Sequence, residues 1–221
     1  MRYRLVGSWS AACAIVAALA TVELGAGQAP AKPPQPPKTV RLYVFDCGVI
    51  NVNRAGTERY KVTPEEVGET RFSVPCFLVV HPKGTLMWDL GILPDDTVEA
   101  RARGEQGNPT ATSAAVTTVP RTLASQLADL GYRPADIMYF AFSHAHVDHN
   151  ANANLFAAST WLARPAERAF MWEEGNMRVN RTFFDKIKDS KSISLDKDEY
   201  DVFGDGKVVL KAAPGHSPGH Q

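Results

Sequence analysis

The stretch Ser143-His144-Ala145-His146-Val147-Asp148-His149 constrains this chain more than any other. It gathers three of the 6 histidines found in 221 residues. It follows directly on Ile137-Met138-Tyr139-Phe140-Ala141-Phe142, an apolar run too short for a good helix and suited to a buried strand. On a regular helix, residues two apart point to nearly opposite faces. His144 and His146 can therefore share a metal only if the segment leaves the strand as a non-helical turn. Such a turn lets the two imidazoles converge while Asp148 and His149 project at another angle, a geometry suited to two adjacent metals. Neutral imidazole and carboxylate are ligand types that zinc takes, and a compact site needs several of them together. A polar loop with coincidental histidines is a poor account of that density.

A second stretch closes the chain: Ala213-Pro214-Gly215-His216-Ser217-Pro218-Gly219-His220-Gln221. Gly215 and Gly219 permit unusual backbone angles, and the two prolines stiffen the turn. A rigid turn after a strand can hold His216 toward the first cluster as a further metal ligand. His220 is expected to support the site or the fold without binding metal.

The remaining chain divides by composition. Arg2 and Arg4 precede an apolar run from Leu5 to Val22, closed by Glu23, which is the order of a secretory signal peptide over residues 1–27. Ala18-Leu19-Ala20 and Gly25-Ala26-Gly27 offer small-residue cleavage patterns. An uncleaved anchor is the alternative, but the run is marginal for a span. Ser10 stands where an aliphatic residue would accompany lipidation of Cys13. The expectation is an exported protein, periplasmic or secreted, with no stable membrane anchor once the leader is removed. Cys47 and Cys76 then remain, at the ends of two expected strands, and both a disulfide and two buried thiols are open to them. Residues 28–38, rich in proline, read as an extended linker, and the folded domain is placed at 39–221.

Within that domain, Val40–Phe45 reads as a strand, and Phe72–Val80 and Thr85–Asp89 as a hairpin turning at His81-Pro82-Lys83-Gly84. Glu99–Thr118 carries no periodicity and reads as a long surface loop. Leu123, Leu127 and Leu130 repeat at helical spacing, with Gly131 as a stop. Helices are expected at His149–Ala157 and Pro165–Glu174, and strands at Thr160–Leu162 and Val208–Leu210. Paired strands followed by alternating strands and helices imply a layered α/β fold, with no internal repeat. His81 reads as structural or solvent-facing, and Arg164, Arg168 and Arg178 as solvated. Trp161, Phe170 and Trp172 read as core in preference to the lining of a binding pocket. Lys+Arg 24 against Asp+Glu 24 leaves no electrostatic footprint for nucleic acid.

His144-x-His146-x-Asp148-His149 resembles the signature of the metallo-β-lactamase superfamily, and Pro-Gly-His216 resembles its next motif. Met87-Trp88-Asp89-Leu90-Gly91 is similar to the family's early strand element, with supporting pieces from about Arg41 to Gln221. The opening Leu42-Tyr43-Val44-Phe45-Asp46-Cys47-Gly48 and the run from His216 through His220 to Gln221 are most similar to N-acyl-homoserine lactonases. The resemblance implies a four-layer αββα sandwich with two Zn2+ at one end of the sheets. His144, His146 and His216 would hold one ion, Asp148 and His149 the other. Asp89 would support the site without binding metal, and Asp148 would join the catalytic machinery. A hydroxide between the ions would open a small-molecule lactone. The implied rivals are a class B3-like β-lactamase, an iron-dependent persulfide oxygenase and an inactive metal-binding fragment. The family pattern also carries a later bridging Asp and a final His, which this sequence lacks. That departure predicts a carboxyl-terminally incomplete domain, mainly the first half of the sandwich, and an inactive chain. The oligomeric state is left open.

Overall fold

Strand β1 (Arg41–Val52) turns alternate side chains to opposite faces, so Phe45 is buried while Leu42 and Val44 stay exposed. A computed structural model describes residues 32–106, 115–176 and 179–221. The leader, Cys13, residues 28–31 of the linker, residues 107–114 of the expected loop and Arg178 lie outside the described residues. Among the described residues, no helix is long and apolar enough to cross a membrane.

Two short helices, α1 (Arg54–Glu58) and α2 (Pro64–Val67), lead from β1 to the hairpin of β2 (Arg71–His81) and β3 (Gly84–Trp88). Thr63 and Glu66 form a reciprocal capping box on α2. Helix α3 (Asp95–Ala102) and strand β4 (Ala115–Thr118) come next, then α4 (Leu123–Asp129). Strand β5 (Tyr139–Ala141), helix α5 (Val147–Asn150), strand β6 (Thr160–Ala163) and helix α6 (Pro165–Trp172) follow. Strands β7 (Ser192–Ser194), β8 (Glu199–Asp201) and β9 (Val209–Lys211) complete the described chain.

Seven strands form one sheet in the order β4-β1-β2-β3-β5-β6-β7. Pairing is antiparallel from β4 through β3 and parallel from β3 through β7. One face carries Leu78, Val80, Met87 and Phe140 onto Leu123 and Leu127 of α4 and Met171 of α6. The other carries Leu86, Ala141 and Leu162 onto Val202, Phe203 and Leu210, around the separate β8–β9 pair. A helical layer, a large mixed sheet and a second small sheet thus stack in that order, the layering of an α/β sandwich.

Several expectations need correction. Glu99–Thr118 is not all loop: its first residues continue α3, and its last four form β4. Strand β4 exists because the end of the long β1 offers Val49–Val52 for pairing, which no local pattern announces. The helix expected at His149–Ala157 is broken into α5 and a 3-10 turn at Ala153–Phe156. The amides of Ala151 and Asn152 donate instead to the carbonyls of Gly91 and Leu90. The final strand pairs with β8 outside the main sheet, and β7 and β8 were not anticipated.

Cys47 and Cys76 form a disulfide, settling the alternatives left open, with Cα atoms 5.8 Å apart. Arg164 is buried, contrary to expectation, and donates to the carbonyls of Leu195, Lys197 and Asp198. Arg168 is half-buried, its guanidinium 5.2 Å and 5.5 Å from the ring centres of Trp161 and Trp172. His81 is structural: it lies buried, stacked on Phe203, with Nε2 3.0 Å from Asp205.

Candidate metal centre

Parallel pairing of β3, β5 and β6 points their carboxyl ends the same way, and the residues beyond those ends meet at one edge of the sheet. Such edges are where ligands bind in α/β sheets. Asp89 follows β3 with φ 55, a left-handed conformation that a non-glycine residue seldom takes. It accepts the Ser143 amide at 2.7 Å, so the loop after β5 is anchored to the loop after β3.

Ser143 then organises the histidines. Its Oγ lies 3.1 Å from Nδ1 of His144 and 3.1 Å from Nδ1 of His149. His149 Nδ1 is also 3.0 Å from Asp89 Oδ2, which sets that nitrogen as the donor and turns Nε2 toward Asp148, 3.3 Å away. Nε2 of His144 lies 2.9 Å from Nδ1 of His146, which in turn lies 3.0 Å from Nε2 of His216, 70 residues on. The loop after β5 leaves as a non-helical turn, since His146 is an extended N-cap residue of α5.

Two groups that could hold a metal ion result: His144, His146 and His216, and His144, Asp148 and His149, with the candidate ligand atoms of each group within 4.8 Å of one another. His144 belongs to both, whereas the sequence reading assigned it to one. The donors fit divalent cations. Two imidazole nitrogens face Nδ1 of His146 at hydrogen-bonding distance, and one proton on that atom can serve only one of them. A neutral His149 would likewise set its Nε2 lone pair against the Asp148 carboxylate. A cation at each convergence removes both conflicts.

Electrostatics tell the same story. Burial, then His149 and the other neighbouring imidazoles, push His144 down to about 3, so its imidazole is neutral and free to ligate. Burial and His216 lower His146 as well. Burial also opposes charge on His149, but hydrogen bonds to Asp148 and Asp89 outweigh it and raise the group to about 9. Asp148 is held below its ordinary value, because its bond to His149 overcomes the effect of burial.

His220 joins neither group. Its ring is tilted beside His144 at 5.1 Å, and its amide donates to the Ser217 carbonyl, which helps shape the turn. Gly219 is needed for room and not for an unusual angle: a Cβ there would collide with the backbone of Glu167. Glu167 itself went unnoticed in the sequence, because a carboxylate in a helix's first turn is ordinary.

A cavity of about 510 Å³ opens beside the centre, walled by Ile50, Val52, Tyr60, Val67 and Phe72, with Asp148 in its lining. Trp161 belongs to the core, and Phe170 borders the turn that carries His216. Neither aromatic lines this cavity.

A family profile described as the Metallo-beta-lactamase superfamily matches residues 70–221. N-acyl homoserine lactonase AttM of Azorhizobium caulinodans is 29% identical over 187 residues, covering 82% of this chain and 69% of the relative. The N-acyl homoserine lactonase of Bacillus cereus is 25% identical over 182 residues, covering 82% of this chain and 68% of the relative. A solved N-acyl homoserine lactone hydrolase, with N-hexanoyl-L-homoserine bound at its catalytic metal centre, shares the fold. Its TM-score is 0.58 at 22% identity, over 82% of this chain and 69% of that one.

Proposed function

The chain belongs to the metallo-beta-lactamase superfamily, and from that premise we propose that its ligand cluster serves a hydrolase that, as the full-length protein, opens the lactone ring of N-acyl homoserine lactones with two zinc ions. The observation that carries this reading is the apolar cavity whose wall ends at Asp148. An acyl chain lodged against Ile50, Val52 and Phe72 leaves its polar head at the ligand cluster. The similarity to AttM supports the same substrate class.

When bound, zinc at such a site polarises a carbonyl and makes water acidic enough to attack at neutral pH. The chain's own residues hold and orient. His144, His146 and His216 would hold one ion, and Asp148 and His149 the other. Asp89 fixes the ring of His149 by accepting from Nδ1, which leaves Nε2 for the ion. Asp148, in the cavity lining, is the carboxylate we assign to both the ion and the attacking water. Water adds to the lactone carbonyl, the ring C–O bond breaks, one water proton passes to the released ring oxygen and the other is released to solvent, and the product is an N-acyl homoserine with a free hydroxyl and a free carboxylate.

Export fits this reading. Residues 1–27 have the order of a signal peptide, and the Cys47–Cys76 disulfide suits an oxidising compartment.

The test is acid release from N-acyl homoserine lactones by zinc-loaded protein, run beside a β-lactam. Lactone opening that chelator abolishes supports the proposal. β-Lactam turnover without lactone opening rejects it in favour of a β-lactamase.

A further inference from the structure

We propose that Glu167 is the positioning residue that holds the two ligand-bearing loops at the spacing a metal requires. This rests on the metal-centre reading above, although not on the identity of the substrate. Glu167 sits in the first turn of α6 and is only 3% exposed. The three donors that its carboxylate accepts from all lie outside its own helix. Oε1 accepts the amide of Ala145 at 2.6 Å. Oε2 accepts the hydroxyl of Ser217 at 2.6 Å and the amide of Gly219 at 2.9 Å.

The positions of these three donors give the bond set its meaning. Ala145 lies between His144 and His146, so fixing its amide fixes the peptide that leaves His144 toward His146. Ser217 follows His216, and Gly219 ends the same turn. One carboxylate thus spans both loops, from a position 22 residues after Ala145 and 50 before Ser217. His216 needs such a hold because its side chain is exposed, and the hydrogen bond described for its ring is to His146. A buried carboxylate with three short donors is rigid, and charge-assisted bonds are the strong ones. The close approach of Gly219 to the Glu167 backbone packs the turn against the start of α6.

An amide in place of the carboxylate is close in shape but cannot serve both loops. If its oxygen meets Ser217 and Gly219, its NH2 confronts the Ala145 amide; if it turns over, it confronts Gly219. Glu167→Gln in the full chain is expected to weaken zinc binding roughly tenfold to a hundredfold, measured against a competing chromophoric chelator. Cobalt(II) loaded in place of zinc should show altered d–d absorption, because a displaced His216 changes the coordination. A purely structural role would lower the melting temperature of the metal-free protein and leave that spectrum unmoved.

Ser217→Ala guards against a Glu167 variant that does not fold, since it removes one bond and leaves no unpaired donor. It should weaken binding a few-fold and shift the cobalt spectrum in the same direction. A folded Glu167→Gln with wild-type affinity and spectrum overturns the proposal. If Glu167→Gln does not fold, unchanged affinity and spectrum in Ser217→Ala overturn it. Wild-type protein that binds no metal would instead refute the metal centre itself. Failure of lactone hydrolysis alone would leave both metal readouts intact.

Discussion

Asp89 and His149 stand 60 residues apart in sequence, yet Oδ2 of one lies 3.0 Å from Nδ1 of the other. Parallel pairing of β3 with β5 makes this contact, because the two strands deliver their following loops to the same edge. Asp89→Asn tolerates the left-handed backbone but sets an NH2 group against the donor nitrogen of His149. Metal affinity should fall roughly tenfold or more, and the His149 pKa should drop from about 9. Zinc competition and NMR titration of the imidazole check the two effects. A variant with an unmoved His149 titration would contradict the assignment.

The metal-free protein should be most stable near pH 6.5, the ordinary value for histidine. Between about 3 and 6.5 the unfolded chain carries a proton that folded His144 refuses, so stability rises with pH. Between 6.5 and about 9 folded His149 keeps a proton that the unfolded chain has lost, so stability falls as pH rises. Denaturant titrations in chelator across this range provide the measurement. A steady rise to pH 9 would show that His149 does not hold its proton.

His216→Ala should strip the three-imidazole group of its ion while barely changing the metal-free fold. The side chain is exposed, and substitutions of that kind stay within about 0.5 kcal/mol. Elemental analysis after dialysis should find fewer zinc ions per chain than in wild type. Equal stoichiometry would remove His216 from the ligand set.

Reduction, or the double change Cys47→Ser and Cys76→Ser, should lower stability by roughly 3–4 kcal/mol, the loop entropy expected for this cross-link. The sequence separation is 29, and both sulfurs lie in the packed interior. Urea unfolding with and without reductant tests it. A shift below about 1 kcal/mol would mean that the unfolded chain is already constrained there.

On the proposed function, Phe72→Ala should raise KM for long-chain lactones roughly tenfold and leave short-chain ones little changed. Phe72 is a wall of the cavity that reaches Asp148, and each methylene it covers contributes about 0.8 kcal/mol. Uniform loss across chain lengths would place the acyl group elsewhere.

The candidate ligands were legible in the sequence, because metal chemistry needs imidazoles and carboxylates and the chain crowds them into two short stretches. The apolar run before the first stretch announced a strand, and β5 occupies its centre. Periodicity likewise announced α4, where Leu123 and Leu127 are buried. It failed at Ala151 and Asn152, whose amides serve Gly91 and Leu90 in place of a continuing helix. Arg164 read as a solvated charge because nothing local shows the three carbonyls that receive it.

Local pattern determined which side chains could bind metal and roughly which segments would be strands or helices, since propensity and periodicity act over a few residues. Tertiary structure decided which of them meet. It set Asp89 against His149, joined Cys47 to Cys76, shared His144 between two groups and turned Glu167 onto both loops. Those choices follow from strand register and from the burial of polar groups that must find partners, and both are fixed only when distant parts of the chain pack.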